Sequence, residues 1–148
     1  MERRFGTLVG QVARLMRRSF DQRAREIGVT RPQWQVLSVL SRREGIKQAE
    51  LAEILEVEPI TAGRMIDRMQ DAGLVERRAD PADRRAWRLF LTPQGQNRVG
   101  ELGPLSEEIS DLALTGVSDA DQAQLYATLE IIRLNLSGKP AADDNAGK

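Results

Sequence analysis

Residues 46–95 run IKQAELAEILEVEPITAGRMIDRMQDAGLVERRADPADRRAWRLFLTPQG, and the periodicity along them changes three times. From Gln48 to Leu55, the apolar residues Leu51, Ala52 and Leu55 keep the three-and-four spacing of a short helix with one buried face. After a break at Glu56 to Glu58, Pro59 stands where a first helical turn tolerates a missing N–H. Ala62, Met65, Ile66 and Met69 then continue the helical spacing towards Gly73. Leu74 to Arg78 and Trp87 to Leu91 are rich in strand formers on either side of the charged turn ADPADRRA. Two short helices followed by a charged hairpin predict a winged helix-turn-helix. The face of the second helix left over by packing carries Ile60, Thr61, Arg64 and Arg68. Thr61 and Arg64 suit hydrogen bonds to base edges or phosphates, and Ile60 suits a thymine methyl. The same face also fits a solvated surface on which Arg64, Asp67, Arg68 and Asp71 pair at helical spacing. The hairpin tips the balance towards DNA, because Arg84, Arg85 and Arg88 follow on one short exposed device and arginine reads narrow minor grooves.

With 148 residues the chain is about one domain long, and with 41% hydrophobic but only 4% aromatic residues its core has to be aliphatic. No run approaches the roughly 18 apolar residues of a membrane span, and MERRFGTLVGQ lacks the plan of a signal peptide, so a soluble cytoplasmic protein is expected. The absence of Cys and His excludes disulfides, thiol redox sensing, the commonest zinc ligands and most nucleophile-and-base pairs. Neither a cofactor nor a metal is expected. The formal net charge is zero, but it is unevenly spread. Residues 1–47 hold 11 basic and 4 acidic side chains, 48–100 hold 8 and 9, and 101–148 hold 3 and 9. Local field rather than net charge governs binding to phosphates, and arginine outnumbers lysine 19 to 3, which favours directed bidentate contacts.

Outside the central stretch, Arg3 to Ile27 predicts a first helix with Phe5, Leu8, Val9, Val12, Leu15, Met16, Phe20 and Ile27 on a broad apolar stripe. Thr30 and Pro32 start the next helix, which carries Trp34, Val36, Leu37, Val39 and Leu40. Ile46 and Lys47 suggest a very short third strand. Thr92 caps a further helical stretch, with a kink or break expected at Gly100, Gly103 and Pro104. A last helix follows Ser118, with Leu125, Leu129, Ile132 and Leu136 on one face, and residues 137–148 are expected to be a disordered tail. The central reader is too small to cover all these apolar faces. The simplest arrangement is therefore a homodimer, with 1–30 and 96–136 as dimerisation helices and 31–95 as the DNA-binding domain. Two-fold symmetry would set two recognition helices roughly 34–36 Å apart over a palindromic site.

The order of elements, and above all the block DRMQDAGLVERRADPADRRAWRLFLTPQG, resembles the MarR family of bacterial transcription regulators, and within it the SlyA-like branch. The resemblance spans about Arg3 to Leu136 and is most specific at Asp67, Gly73, Leu74, Asp83, Arg85, Leu91, Thr92 and Gly95. It implies that Arg85 enters the minor groove, that Asp83 orients it, and that Arg84 supports the same contact or holds a phosphate. It places Thr61 and Arg64 in the major groove, with Ile60 and Arg68 beside them. It further implies repression relieved by a small ligand held between the dimer helices and the reader, with Arg17, Phe20, Trp34 and Met65 as candidate pocket residues. By resemblance alone, aromatic carboxylates or acyl thioesters are the implied effectors; the cysteine of oxidant-sensing relatives and the histidines of zinc-sensing relatives are absent here.

Two other classes fit less of the chain. A winged-helix protein-interaction module would explain the zero net charge but not the arginines gathered on the wing. An enzyme would need Asp80 and Asp83 as an acid–base pair, although the turn that holds them is expected to be open to water.

Overall fold

A computed structural model describes residues 4–138. Their elements run α1 (Phe5–Glu26), α2 (Arg31–Arg42), α3 (Gln48–Leu55), α4 (Pro59–Asp71), β1 (Val75–Ala79), β2 (Trp87–Leu91), α5 (Pro93–Ala113) and α6 (Asp119–Ser137). The boundaries have local causes. At α2, the Thr30 hydroxyl accepts from the Gln33 amide while the Gln33 side chain accepts from the Thr30 N–H, a complete capping box around Pro32. Helix α3 stops at Glu56, whose φ of 54° is left-handed, and Pro59 opens α4 at its first position.

The stretch LTPQG joins hairpin to helix by three contacts. The Thr92 hydroxyl donates to the Gly73 carbonyl at 2.5 Å and accepts from the Gly95 amide at 3.0 Å, and the Thr92 amide donates to the Leu74 carbonyl at 3.1 Å. Gly95 packs so closely that a Cβ there would lie 2.1 Å from the Leu74 carbonyl oxygen.

Strands β1 and β2 pair antiparallel, with Val75 opposite Leu91, Arg77 opposite Leu89 and Ala79 opposite Trp87. The short third strand expected at Ile46 and Lys47 is reduced to an isolated bridge from Lys47 to Arg88, since the chain turns directly into α3 at Gln48.

The core is aliphatic: Val36, Leu37, Leu40, Leu51, Ile66, Met69, Val75 and Leu89 are buried, with Phe20 and Trp34 at its margin. The apolar stripe of α1 divides along its length. Ala24, Phe20 and Ile27 meet this core, while Phe5, Leu8, Val9, Val12, Leu15 and Met16 remain exposed. Helix α5 is not broken: it continues through Pro104, and Leu102 and Ile109 on either side are buried. An interior proline costs a helix about 3 kcal/mol. Burial of those two side chains offsets that cost.

The chain divides into two compact units, the first ending at Ser110 and the second beginning at Asp111. In the second, Ser118 caps α6 by accepting from the Asp121 amide, and Leu125, Tyr126, Leu129, Ile131 and Leu136 are exposed. The helix ends at Ser137 with Gly138 at φ 68°, and the rest of the expected tail lies outside the described residues. No described helix is long and apolar enough to cross a membrane.

Candidate nucleic-acid interface

Helix α4 turns Ala62, Ile66 and Met69 inward, which leaves Ile60, Thr61, Arg64 and Arg68 on its exposed side. Asp67 does not pair with its arginine neighbours. Instead it accepts from Arg77 Nη1 at 2.5 Å. Arg77 is the residue that periodicity alone overlooked. It shares a strand face with buried Val75, so it points towards the helices, and its side chain is only 17% exposed. Its Nε donates to Gln48 Oε1 at 3.0 Å, its Nη2 to the Gly63 carbonyl at 3.0 Å, and its Nη1 also to Gln70 Oε1 at 3.3 Å. One guanidinium thus fastens β1 to both α3 and α4. The signal for it was a charge at an inward position of an alternating strand.

The turn between the strands is closed by its own backbone. The Asp80 amide donates to the Ala86 carbonyl and the Ala86 amide to the Asp83 carbonyl, both at 3.1 Å. Asp83 Oδ1 accepts from the Arg85 backbone amide at 3.0 Å, so its hold on Arg85 runs through the main chain. Arg84 and Arg85 stand exposed at the tip. Among the described residues, Arg64, Arg68, Arg84 and Arg85 form no salt bridge. The solvated-pair reading of α4 loses its acid partners.

Two expectations for this turn are corrected. Asp80 is buried rather than open to water, with its side chain 1% exposed, and Arg88 is half-buried against it. Arg88 Nε lies 3.3 Å and Lys47 Nζ 3.7 Å from Asp80 Oδ2, while the Ala82 amide donates to Oδ1 at 2.9 Å. The Ala82 N–H foremost, with Arg88 and Lys47, holds the Asp80 carboxyl below its ordinary range against the opposing effect of burial. That direction is wrong for a general acid at neutral pH. It also removes Arg88 from the free cations of the wing. This pairing relieves a clash, because Arg88 sits directly opposite Arg78 in the ladder. Arg78 is drawn the other way, onto Glu76 and over the Phe90 ring at 4.0 Å.

A separate cavity of about 300 Å3 lies among α1, α2 and α5, lined by Arg17, Phe20, Trp34, Ser38, Leu102 and Ser106 among others. Three of the four expected pocket residues meet there. Met65 does not: it stands beside the buried stripe of α4 and packs against the core instead. Phe20 meets Trp34 edge to face with ring centroids 4.7 Å apart, and Trp34 Nε1 donates to Asp21 Oδ1 at 2.8 Å. Asp21 also accepts from Arg31, which foremost holds its carboxyl below the ordinary range. Trp34 therefore offers the cavity a fixed ring face with its N–H already engaged.

Comparison with known proteins agrees with this geometry. A family model described as MarR family matches residues 27–86. The transcriptional regulator HosA of Escherichia coli O111:H- is 31% identical over 94 residues, covering 64% of this chain and 70% of that protein. The crystal structure of transcriptional regulator PA3341 superposes with a TM-score of 0.79 at 34% identity, covering 92% of this chain and 100% of that one. The crystal structure of transcriptional regulator SlyA gives 0.75 at 27% identity, with coverages of 88% and 92%.

Proposed function

The chain belongs to the MarR family of transcriptional regulators, and from that premise we propose that it is a homodimeric, sequence-specific repressor of a palindromic operator, of the SlyA-like branch. Residues 31–95 read DNA, while 1–30 and 96–136 form the dimer. The observation that carries this reading is the set of four arginines without an acidic partner among the described residues, Arg64, Arg68, Arg84 and Arg85, on two elements that Arg77 fastens together. Thr61 and Arg64, with Ile60 and Arg68 beside them, meet the major groove, and Arg85 enters the minor groove with Arg84 on the backbone. Asp83 shapes the turn that presents Arg85.

Release comes from a ligand in the cavity. Arg17 faces a carboxylate there and the Phe20 and Trp34 rings face an aromatic body, so a single-ring aromatic acid fits about 300 Å3 whereas a thioester could seat only its acyl end. Occupancy alone is not enough, because the ligand has to bind the released conformation better than the DNA-bound one.

The test is selection of genomic fragments on the purified protein, followed by titration of the recovered duplex at two salt concentrations. A palindrome bound far above random DNA, with affinity falling steeply as salt rises, is expected. Arg64→Ala should lose roughly 1–3 kcal/mol of discrimination between operator and random duplex. Equal loss on both would reduce Arg64 to a phosphate contact, and sequence-blind binding by the wild type would end the reading.

A further inference from the structure

Trp87 has no place in the core and no assigned task. It lies on the same strand face as Leu89 and Leu91, both buried, but one step beyond the edge of what α3 and α4 cover, and it is 47% exposed. Its cross-strand neighbour is Ala79, which shields little of an indole. The ring therefore overhangs a groove of about 380 Å3 whose walls come from the wing and from the starts of α3 and α4: Lys47, Gln48, Pro59, Asp83, Arg85 and Trp87 itself.

The polar groups at this groove are mostly donors. Gln48 has given its oxygen to Arg77, so its NH2 remains to donate. Lys47 Nζ is held loosely, 3.7 Å from Asp80, and Arg85 has no acid partner among the described residues. The Asp83 carboxylate is the one acidic group in the wall, and its Oδ1 already accepts from the Arg85 amide. Pro59 and the indole supply apolar surface between these donors. A groove with donors and a flat apolar face suits a phosphodiester and the deoxyribose attached to it. Its location agrees: if α4 occupies a major groove and the wing tip the adjoining minor groove, the strand separating those grooves has to pass between them.

We propose that this groove seats the sugar–phosphate backbone of DNA, with the Trp87 indole N–H donating to a phosphate oxygen and its ring lying on the neighbouring deoxyribose. The inference rests on the DNA-reading function above and adds a residue and a strand contact to it.

The experiment uses the full chain and the duplex recovered by fragment selection. Trp87→Phe keeps the ring and loses the donor, whereas Trp87→Ala loses both. The expected loss of operator affinity for Trp87→Phe is about tenfold per half-site, the scale of one charge-assisted hydrogen bond, hence about 100-fold for the homodimer on its palindrome, and larger for Trp87→Ala. Circular dichroism and thermal melting should be unchanged, because the side chain is not core. Duplexes carrying a neutral methylphosphonate at single positions then separate contact from shape. At one phosphate per half-site, neutralisation should weaken the wild type and have little further effect on Trp87→Phe. Iodide should quench wild-type tryptophan emission less once the duplex is bound, and that protection should vanish in Trp87→Phe, which retains only Trp34. Wild-type affinity in both variants, with no phosphate showing this non-additivity, would overturn the proposal while the regulator stands. Failure of the wild type to prefer any duplex would overturn both.

Discussion

Arg77 and Asp80 are two side chains that support the proposed DNA-facing surface without being part of it. A lysine at position 77 would keep the charge but cannot reach Gln48, Asp67 and the Gly63 carbonyl together, since only a guanidinium has that fork. The Asp67 end is open to water and contributes little, so most of the loss comes from Gln48 and Gly63. Arg77→Lys should therefore lower unfolding stability by about 2 kcal/mol in urea titration. Operator affinity should fall further than stability alone explains.

Asp80 and Asp21 both have carboxyls depressed from an ordinary 3.8, so each contributes stability that is fully present above that value and is lost as pH falls through the lower folded value. With no histidine in the chain, urea midpoints should be level from about pH 6 to about pH 8 and decline only below about pH 4. A transition near neutrality would contradict both assignments. The exposed arginines were legible in the sequence because packing periodicity leaves them over. The burial of Asp80 was not, because its cations come from Lys47, far back in the chain, and from Arg88 on the other strand, which the register places opposite Arg78 rather than Asp80.

Among the elements, most boundaries were legible because each carries its own local chemistry. Thr30 with Gln33, Pro59 at the start of α4 and Thr92 before α5 mark helix starts by side-chain groups that satisfy or replace end amides. Helix α5 defeated that logic. Two glycines and a proline predict a break, yet Leu102 before Pro104 and Leu105 after it pack on the core, and Ile109 is buried further on, which holds the helix through it. Gly95 is where the junction of hairpin and helix is least tolerant. Gly95→Ala would ordinarily favour a helix by about 1 kcal/mol, but here the new methyl meets the Leu74 carbonyl. The outcome expected is destabilisation by about 1–3 kcal/mol, read from the urea midpoint. A more stable variant would mean that the junction yields easily.

Over the molecule as a whole, the longest series of exposed apolar side chains among the described residues are those of α1 from Phe5 to Met16 and of α6 from Leu125 to Leu136. Both faces were visible as periodic stripes, but a single chain does not say what covers them. Leu15→Glu and Leu129→Glu each put a charge on one such face. If these faces form the dimer, sedimentation should find monomers in both variants. Operator affinity should then drop roughly 100-fold or more, as the second half-site no longer binds within the same complex.

The guanidinium that ties β1 to α3 and α4 leaves little freedom within each reader, so in the proposed dimer an effector would act on the pair of readers as a user acts on a caliper, adjusting the gap while the jaws keep their shape. The liganded dimer would then measure a different length rather than lose its ability to grip. An operator with an altered spacer between unchanged half-sites should bind better with effector than without it, so that the same small molecule which releases the natural site closes the protein onto the altered one. Selecting from a library of spacer lengths, with and without effector, should recover two distinct optima. A single optimum that merely weakens would show that the jaws themselves deform.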